Sequence, residues 1–133
     1  MVIEPSSKEP VVIGLLAGEP SGDLLGAGLM TALRAMLQDR EVTFMGVGGA
    51  RMQAAGLICL AEFETLSVNG FREPILRLPQ LYRLYRELST TLVEARIDAF
   101  VGIDFNVFNF ILEARLKRQG IPPAHYVSPS VYA

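Results

Sequence analysis

The chain is poor in the residues that build disulfides and metal sites. Among its 133 residues there is one Cys, one His and no Trp. The single Cys59 cannot form an internal disulfide, which favours a reducing compartment. One thiol and one imidazole make no credible zinc cluster. Because Ile58 and Leu60 flank Cys59, we expect this residue to be a small part of the core.

A basic excess and a long apolar run are also missing. The 12 Lys and Arg residues face 14 Asp and Glu, so no nucleic acid is expected as a partner. The apolar run at 11–17 is far shorter than the roughly 20 residues that span a bilayer. Residues 1–10 contain Pro and acidic residues rather than a basic signal peptide, which predicts a flexible N-terminal tail. Half of all residues are apolar, which excludes a disordered chain.

Strands and helices alternate along residues 11–133. The continuous apolar run at its start predicts a strand buried on both faces, as is typical of parallel sheets. A turn-rich loop follows, in which Ser21 or Asp23 is a candidate cap for the next helix. Strands are predicted at 11–16, 42–45, 58–60, 99–103 and 124–127, and helices at 24–37, 51–55, 62–66, 78–95 and 107–118. This order predicts an α/β fold, a Rossmann-like open doubly wound parallel sheet.

Ligands of such sheets bind beyond the carboxyl ends of the strands, where helix N-termini offer N–H groups. Four loops rich in Gly, Ser, Asp and Asn are expected there, at 18–23, 46–51, 104–109 and 128–133. Their polar side chains suit a sugar or a phosphate. The first loop matches neither the P-loop nor the dinucleotide motif. Its serine stands one place too late for the hydrolase elbow G-x-S-x-G.

Two titratable residues follow or lie within predicted strands. Asp104 comes directly after the strand at 99–103, where partial burial would adjust the pKa of its carboxyl for general-base work. The same position suits an N-cap of the following helix, and spacing alone leaves both interpretations open. His125 lies within an apolar strand, which favours a structural histidine over a catalytic base.

Arginine and tyrosine alternate in and before the helix predicted at 78–95. Between residues 72 and 86 there are four Arg and one acidic residue, Glu73. This composition suits an anionic lipid surface. An amphipathic helix that packs on a sheet needs a polar outer face in any case, so a solvated face is the alternative. The candidate lipid-contact residues are Arg72, Arg77, Tyr82, Arg83, Tyr85 and Arg86.

Several longer motifs occur in one order along the chain. They are Ala17-Gly18-Glu19-Pro20-Ser21-Gly22-Asp23, Gly46-Val47-Gly48-Gly49, Gly102-Ile103-Asp104 with Phe108-Asn109, and His125-Tyr126-Val127-Ser128-Pro129-Ser130-Val131. Together these motifs closely resemble the N-terminal part of the lipid-A-disaccharide synthases. The resemblance runs from about Val11 to the last residue.

The resemblance implies that residues 11–133 form the N-terminal, acceptor-side domain of an inverting glycosyltransferase of the B fold. Such enzymes transfer 2,3-diacylglucosamine from its UDP conjugate to 2,3-diacylglucosamine 1-phosphate, giving the disaccharide 1-phosphate and UDP in lipid A biosynthesis. The resemblance implies no metal and no cofactor. It places the enzyme peripherally on the cytoplasmic face of the inner membrane, in contact with that lipid surface, and allows a homodimer of the full-length enzyme.

The resemblance also assigns roles to residues. Asp104 matches the family's essential aspartate, which would remove the proton from the 6-hydroxyl of the acceptor. Residues in the other matching loops would bind the substrate. They are Glu19, Ser21, Gly22, Asp23, Gly48, Gly49, Asn109, Ser128 and Ser130.

The chain departs from the family pattern at two positions and in its length. Val107 stands where the family usually has a second acidic residue, and Asn69 stands where it usually has Met. The family motif also continues into a second domain with most of the UDP-sugar contacts, whereas this chain ends at Ala133, so the isolated chain is expected to be inactive. The alternatives are a stand-alone Rossmann-like binding module without catalysis and another UDP-sugar enzyme of this fold with a different acceptor.

Overall fold

A computed structural model of the chain describes residues 9–62, 74–103 and 107–126. In this part of the chain, strands and helices alternate as the sequence predicts. The strands are β1 (Val11–Ala17), β2 (Val42–Val47), β3 (Leu57–Cys59), β4 (Ala99–Ile103) and β5 (Pro123–Tyr126). The helices are α1 (Pro20–Met36), α2 (Ala50–Ala54), α3 (Pro74–Glu94) and α4 (Val107–Arg118).

The strands form one parallel sheet in the order β3-β2-β1-β4-β5. The central strand β1 pairs with β2 on one side, where Leu15 lies opposite Gly46. On the other side it pairs with β4, where Leu16 lies opposite Gly102. The chain therefore moves outward from β1 in both directions. The crevice at the carboxyl ends of β1 and β4 is the place where such sheets bind ligands.

Helices cover both faces of this sheet. Successive strand residues point to opposite faces, and the fully buried neighbours Leu15 and Leu16 belong to two different core clusters. The Leu15 cluster includes Met30 of α1 and Met52 of α2. The Leu16 cluster joins α3 to α4 through Leu88, Leu92, Leu112 and Leu116. The predicted doubly wound α/β arrangement is thereby confirmed.

The predicted and observed boundaries of the strands and helices agree best in the second half of the chain. The bounds predicted for β4 and α4 are confirmed, whereas α3 begins at Pro74 rather than at residue 78. Helix α1 begins at Pro20 rather than at Leu24, because proline is well suited to the first helical position. The prediction that Ser21 or Asp23 caps α1 is wrong. The N-cap is Glu19, whose side chain makes no capping hydrogen bond.

Some predictions fall outside the described residues. They concern most of the N-terminal tail and all but the first residue of the helical turn at 62–66. Within the described part, no helix is both long and apolar enough to cross a lipid bilayer.

Candidate functional site

A cleft of about 740 Å³ opens at the carboxyl edge of the sheet. It lies between the first turn of α1, helix α2 and the segment that leaves β3. Its described lining residues are Pro20, Asp23, Gly49, Ala50, Gln53, Cys59, Leu60, Ala61 and Glu62. We call this space the α1–α2 cleft. Two residues predicted to bind substrate, Asp23 and Gly49, are among these lining residues.

Asp23 joins the two helices that border the cleft. Its side chain is buried, and its Oδ1 accepts hydrogen bonds from the backbone N–H groups of Gly49 (2.8 Å) and Met52 (3.0 Å). Its Oδ2 accepts a third hydrogen bond, from the N–H of Arg51 at 3.0 Å. The first N–H groups of a helix have no partner within the helix. Asp23 therefore caps α2, although it belongs to α1.

We expect Asp23→Asn to lower the free energy of unfolding by about 2 kcal/mol, because an amide nitrogen cannot accept the bonds that one carboxylate oxygen accepts, and hydrogen bonds to charged groups are strong. Urea denaturation followed by circular dichroism measures the change. Asp39→Asn, at an exposed position in the turn after α1, is the matched control. Equal unfolding midpoints for the two variants would contradict the capping role.

Asn109 ties the two central strands together at the same edge. It lies in the first turn of α4 and is completely buried. Its Nδ2 donates hydrogen bonds to the carbonyl oxygens of Ile103 (2.8 Å) and Leu16 (3.2 Å). These carbonyls stand at or next to the carboxyl ends of β4 and β1. The amide therefore fixes the distance between the two chain segments that lead into the predicted site.

His125 has a partly buried acidic partner. Its Nδ1 lies 2.7 Å from Oε2 of Glu113 on α4, and its ring stacks on Phe110 with 4.8 Å between centroids. The pair sits over Gly102 of β4, where a Cβ atom would overlap the Glu113 carboxylate. His125 and Glu113 can therefore approach the sheet this closely only because residue 102 is a glycine. The arrangement joins β5 to α4 and agrees with the structural role expected for His125.

The prediction for Cys59 is wrong, because this residue is exposed and lines the cleft. It ends β3, a three-residue strand at the edge of the sheet. Its Sγ lies 3.0 Å from the carbonyl oxygen of Ala61. An edge strand has a partner on one side only, so apolar neighbours such as Ile58, itself 51% exposed, do not ensure burial here.

The remaining predicted site residues differ in their placement. Glu19 and Ser21 are exposed at the start of α1, while Gly22 is buried. The carbonyl oxygen of Gly48 accepts a hydrogen bond from the Gln53 side chain at 3.0 Å. Other predicted residues lie outside the described residues, namely Arg72, Asp104, Ser128, Ser130 and the side chain of Arg77. No group of His, Cys, Asp and Glu side chains in the described ranges could hold a metal ion.

Sequence reasoning missed the three polar lining residues outside the predicted loops, which are Gln53, Cys59 and Glu62. Gln53 lies on a short helix that was predicted almost correctly, but no motif singles it out. It reaches the cleft because Asp23 holds α2 against α1, a contact between residues far apart in the chain. The only available signal was the position of the loop at 46–51, which the alternation of strands and helices placed at the carboxyl edge.

Comparisons with known proteins agree with the resemblance stated from the motifs. The sequence profile of the family described as lipid-A-disaccharide synthetase matches residues 13–133. Three relatives carry the name lipid-A-disaccharide synthase. The one from Sodalis glossinidius is 52% identical over 127 residues, which make up 96% of this chain and 33% of the relative. The one from Pseudomonas paraeruginosa is 50% identical over 121 residues, 91% of this chain and 32% of the relative.

The third relative, from Chromobacterium violaceum, is 48% identical over 126 residues, which are 95% of this chain and 32% of the relative. The chain thus spans about a third of the length of the relatives it matches. The family profile covers every described strand and helix except the first two residues of β1. On this evidence the chain belongs to the lipid-A-disaccharide synthetase family.

Proposed function

We propose that the chain is the acceptor-side domain of a glycosyltransferase that makes lipid A disaccharide. The reaction transfers 2,3-diacylglucosamine from its UDP conjugate to 2,3-diacylglucosamine 1-phosphate. The observation that carries the proposal is about 50% identity to proteins named lipid-A-disaccharide synthase over more than nine-tenths of the chain. The Rossmann-like sheet with a cleft at its carboxyl edge supports it, since this is where sheets of this kind bind their ligands.

Asp104 is the proposed general base. It directly follows β4, which lies beside β1 at the centre of the sheet. In the proposed step, the carboxylate takes the proton of the acceptor 6-hydroxyl while that oxygen attacks the anomeric carbon of the donor. The bond between the anomeric carbon and the UDP oxygen breaks, and UDP leaves with the electron pair. Attack from the face opposite the leaving group inverts the anomeric configuration.

The neighbouring residues have two kinds of proposed role. Asp23 and Asn109 are proposed as positioning residues, because the carboxylate of Asp23 and the amide nitrogen of Asn109 bind backbone groups at the carboxyl edge. Direct substrate contacts are proposed for the other residues of the matching loops. They are Glu19, Ser21, Gly22, Gly48, Gly49, Ser128 and Ser130.

A chimera tests the function directly. The chain replaces the matched third of the Sodalis glossinidius relative, which supplies the other two-thirds of the polypeptide. Purified chimera is incubated with both diacylglucosamine substrates, and disaccharide 1-phosphate and UDP are quantified. We expect both products in equal amounts. A folded chimera that releases neither product would contradict the proposal.

The outer face of α3 is proposed to contact anionic lipid, since both proposed substrates carry acyl chains. Tyr82 is 60% exposed and its ring lies 6.1 Å from that of Tyr85, which is half-buried. Arg83 and Arg86 are exposed and border a shallow groove. Neither arginine forms an ion pair within the described part of the chain. Exposed aromatic and basic side chains together suit the surface of an anionic bilayer.

We expect the double variant Arg83→Gln, Arg86→Gln to bind anionic vesicles about 30-fold more weakly, from about 1 kcal/mol per basic residue near such a surface. Co-sedimentation with phosphatidylglycerol vesicles measures the affinity. Arg115→Gln, Arg118→Gln removes the same charge from exposed positions in the last turn of α4 and serves as the control. Equal losses in both double variants would indicate attraction by net charge alone.

A homodimer of the full-length enzyme stays a prediction.

A further inference from the structure

The amide group of Gln53 has a fixed orientation at the wall of the α1–α2 cleft. Its Nε2 donates a hydrogen bond to the carbonyl oxygen of Gly48 at 3.0 Å. A carbonyl oxygen can only accept, so the nitrogen of the amide must point this way. The same nitrogen lies 3.7 Å from Sγ of Cys59. The Cys59 thiol donates its own hydrogen bond to the carbonyl oxygen of Ala61 at 3.0 Å, so the lone pairs of the sulfur remain available to accept one.

The two N–H groups of the amide are therefore both used by the protein. Its Oε1 is left as a hydrogen-bond acceptor, and no described donor reaches it. Gln53 is exposed and lines the cleft. A ligand group that meets this oxygen has to donate a proton, as a hydroxyl or an amide N–H does. A phosphate group at neutral pH is anionic and most of its oxygens can only accept hydrogen bonds, so it fits this acceptor poorly.

The charges around the cleft also favour a neutral ligand over an anion. Its described lining contains the carboxylates of Asp23 and Glu62 and no Lys, Arg or His. The N-terminus of α2 would otherwise attract an anion, but Asp23 already accepts its N–H groups. An incoming phosphate would therefore meet negative charge, and the N–H groups of Gly49, Arg51 and Met52 are already bonded to Asp23. A neutral sugar carries no such penalty.

We propose that Oε1 of Gln53 is a specificity-determining acceptor for a hydroxyl or amide N–H of an N-acylated amino sugar. The α1–α2 cleft takes the neutral sugar ring, and the phosphate groups of the same substrate bind outside this cleft. The identity of the sugar rests on the proposed function, whereas the preference for a neutral donor group follows from the cleft itself.

Alkylation of Cys59 reports on occupation of the cleft, because this residue lines it and is the only cysteine of the chain. The 133-residue chain is treated with N-ethylmaleimide, alone or with N-acetylglucosamine or inorganic phosphate, and labelling is followed by mass spectrometry. We expect N-acetylglucosamine to slow labelling in a saturable way and phosphate to leave the rate unchanged. Protection by phosphate that equals or exceeds protection by the sugar overturns the proposal, as does absence of protection by the sugar.

The variant Gln53→Met keeps the length of the side chain and removes both its acceptor and the donor that binds the Gly48 carbonyl. Protection is compared with and without sugar within each variant, so a changed intrinsic reactivity of Cys59 does not matter. We expect the apparent sugar affinity to fall about fivefold to tenfold, the usual effect of one neutral hydrogen bond. Gln38→Met, at an exposed position in the turn after α1, should bind the sugar as the unaltered chain does. Unchanged affinity in Gln53→Met overturns the proposal.

The experiments distinguish failure of the proposed transferase function from failure of the proposed role of Gln53. Sugar protection that depends on Gln53, together with an inactive chimera, supports this inference and contradicts the transferase function. Product formation by the chimera, together with sugar affinity unaffected by Gln53→Met, supports the transferase function and removes Gln53 from sugar recognition.

Discussion

Asp104→Asn is expected to lower the rate of disaccharide formation by the chimera about 10²-fold or more. Asparagine keeps the size of the side chain and removes its ability to take a proton, and loss of a general base typically costs this much in rate. Initial rates at saturating donor and acceptor measure the effect. Because the acceptor hydroxyl still binds, we expect the KM of the acceptor to change far less than kcat.

Two controls make this result specific to Asp104. Asp39→Asn makes the same chemical change at an exposed turn of the opposite, amino edge of the sheet, and its rate should equal that of the unaltered chimera. Equal urea midpoints for all three proteins show that the fold is intact. Turnover of Asp104→Asn at the unaltered rate would remove Asp104 from the role of base.

Gly46→Ala is expected to destabilise the chain by about 3 kcal/mol or more, a large part of the total stability of a domain. Gly46 has φ +149°, a conformation that residues with a side chain rarely adopt. A Cβ atom at this position would overlap the backbone carbonyl oxygen of Leu15, its neighbour on β1. A flexible side chain could move aside, but a paired strand can do so only by breaking the sheet.

The control for this variant is Gly28→Ala. Gly28 lies within α1, and a Cβ atom there meets nothing within 4 Å apart from the backbone of its own helix and its chain neighbours. Alanine in a helix interior should stabilise the chain by about 0.5 to 1 kcal/mol relative to glycine. Thermal unfolding of both variants therefore gives shifts of opposite sign. A midpoint for Gly46→Ala within error of the unaltered chain would show that β1 and β2 are not held as closely as described.

Local sequence signals were sufficient to predict the sheet. The continuous apolar run of β1 gave its burial on both faces, and the run at 99–103 gave the bounds of β4. Helix α4 was equally clear, because Gly120 follows its last turn and has the positive φ that helix ends favour. In each case neighbours in the chain determine the structure, so periodicity and end signals carry the information.

The α1–α2 cleft was less predictable, because its geometry depends on contacts between distant residues. Aspartate often caps helices, and Asp23 lies in the first turn of α1. Its hydrogen-bond partners are nevertheless Gly49, Arg51 and Met52, at the start of α2. Cys59 has the neighbours of a core residue, yet it ends a strand at the edge of the sheet. Neither the partners of Asp23 nor the edge position of Cys59 can be predicted from a single sequence.

The three hydrogen bonds of Asp23 have a consequence for the thermodynamics of recognition. Where a binding-site segment becomes ordered only when the ligand arrives, part of the binding energy is spent on that ordering. Here a carboxylate of the chain itself supplies the negative partner of α2. The wall that carries Gln53 is thereby preorganised, so a small, uncharged ligand can bind without first meeting an entropic cost of folding the helix.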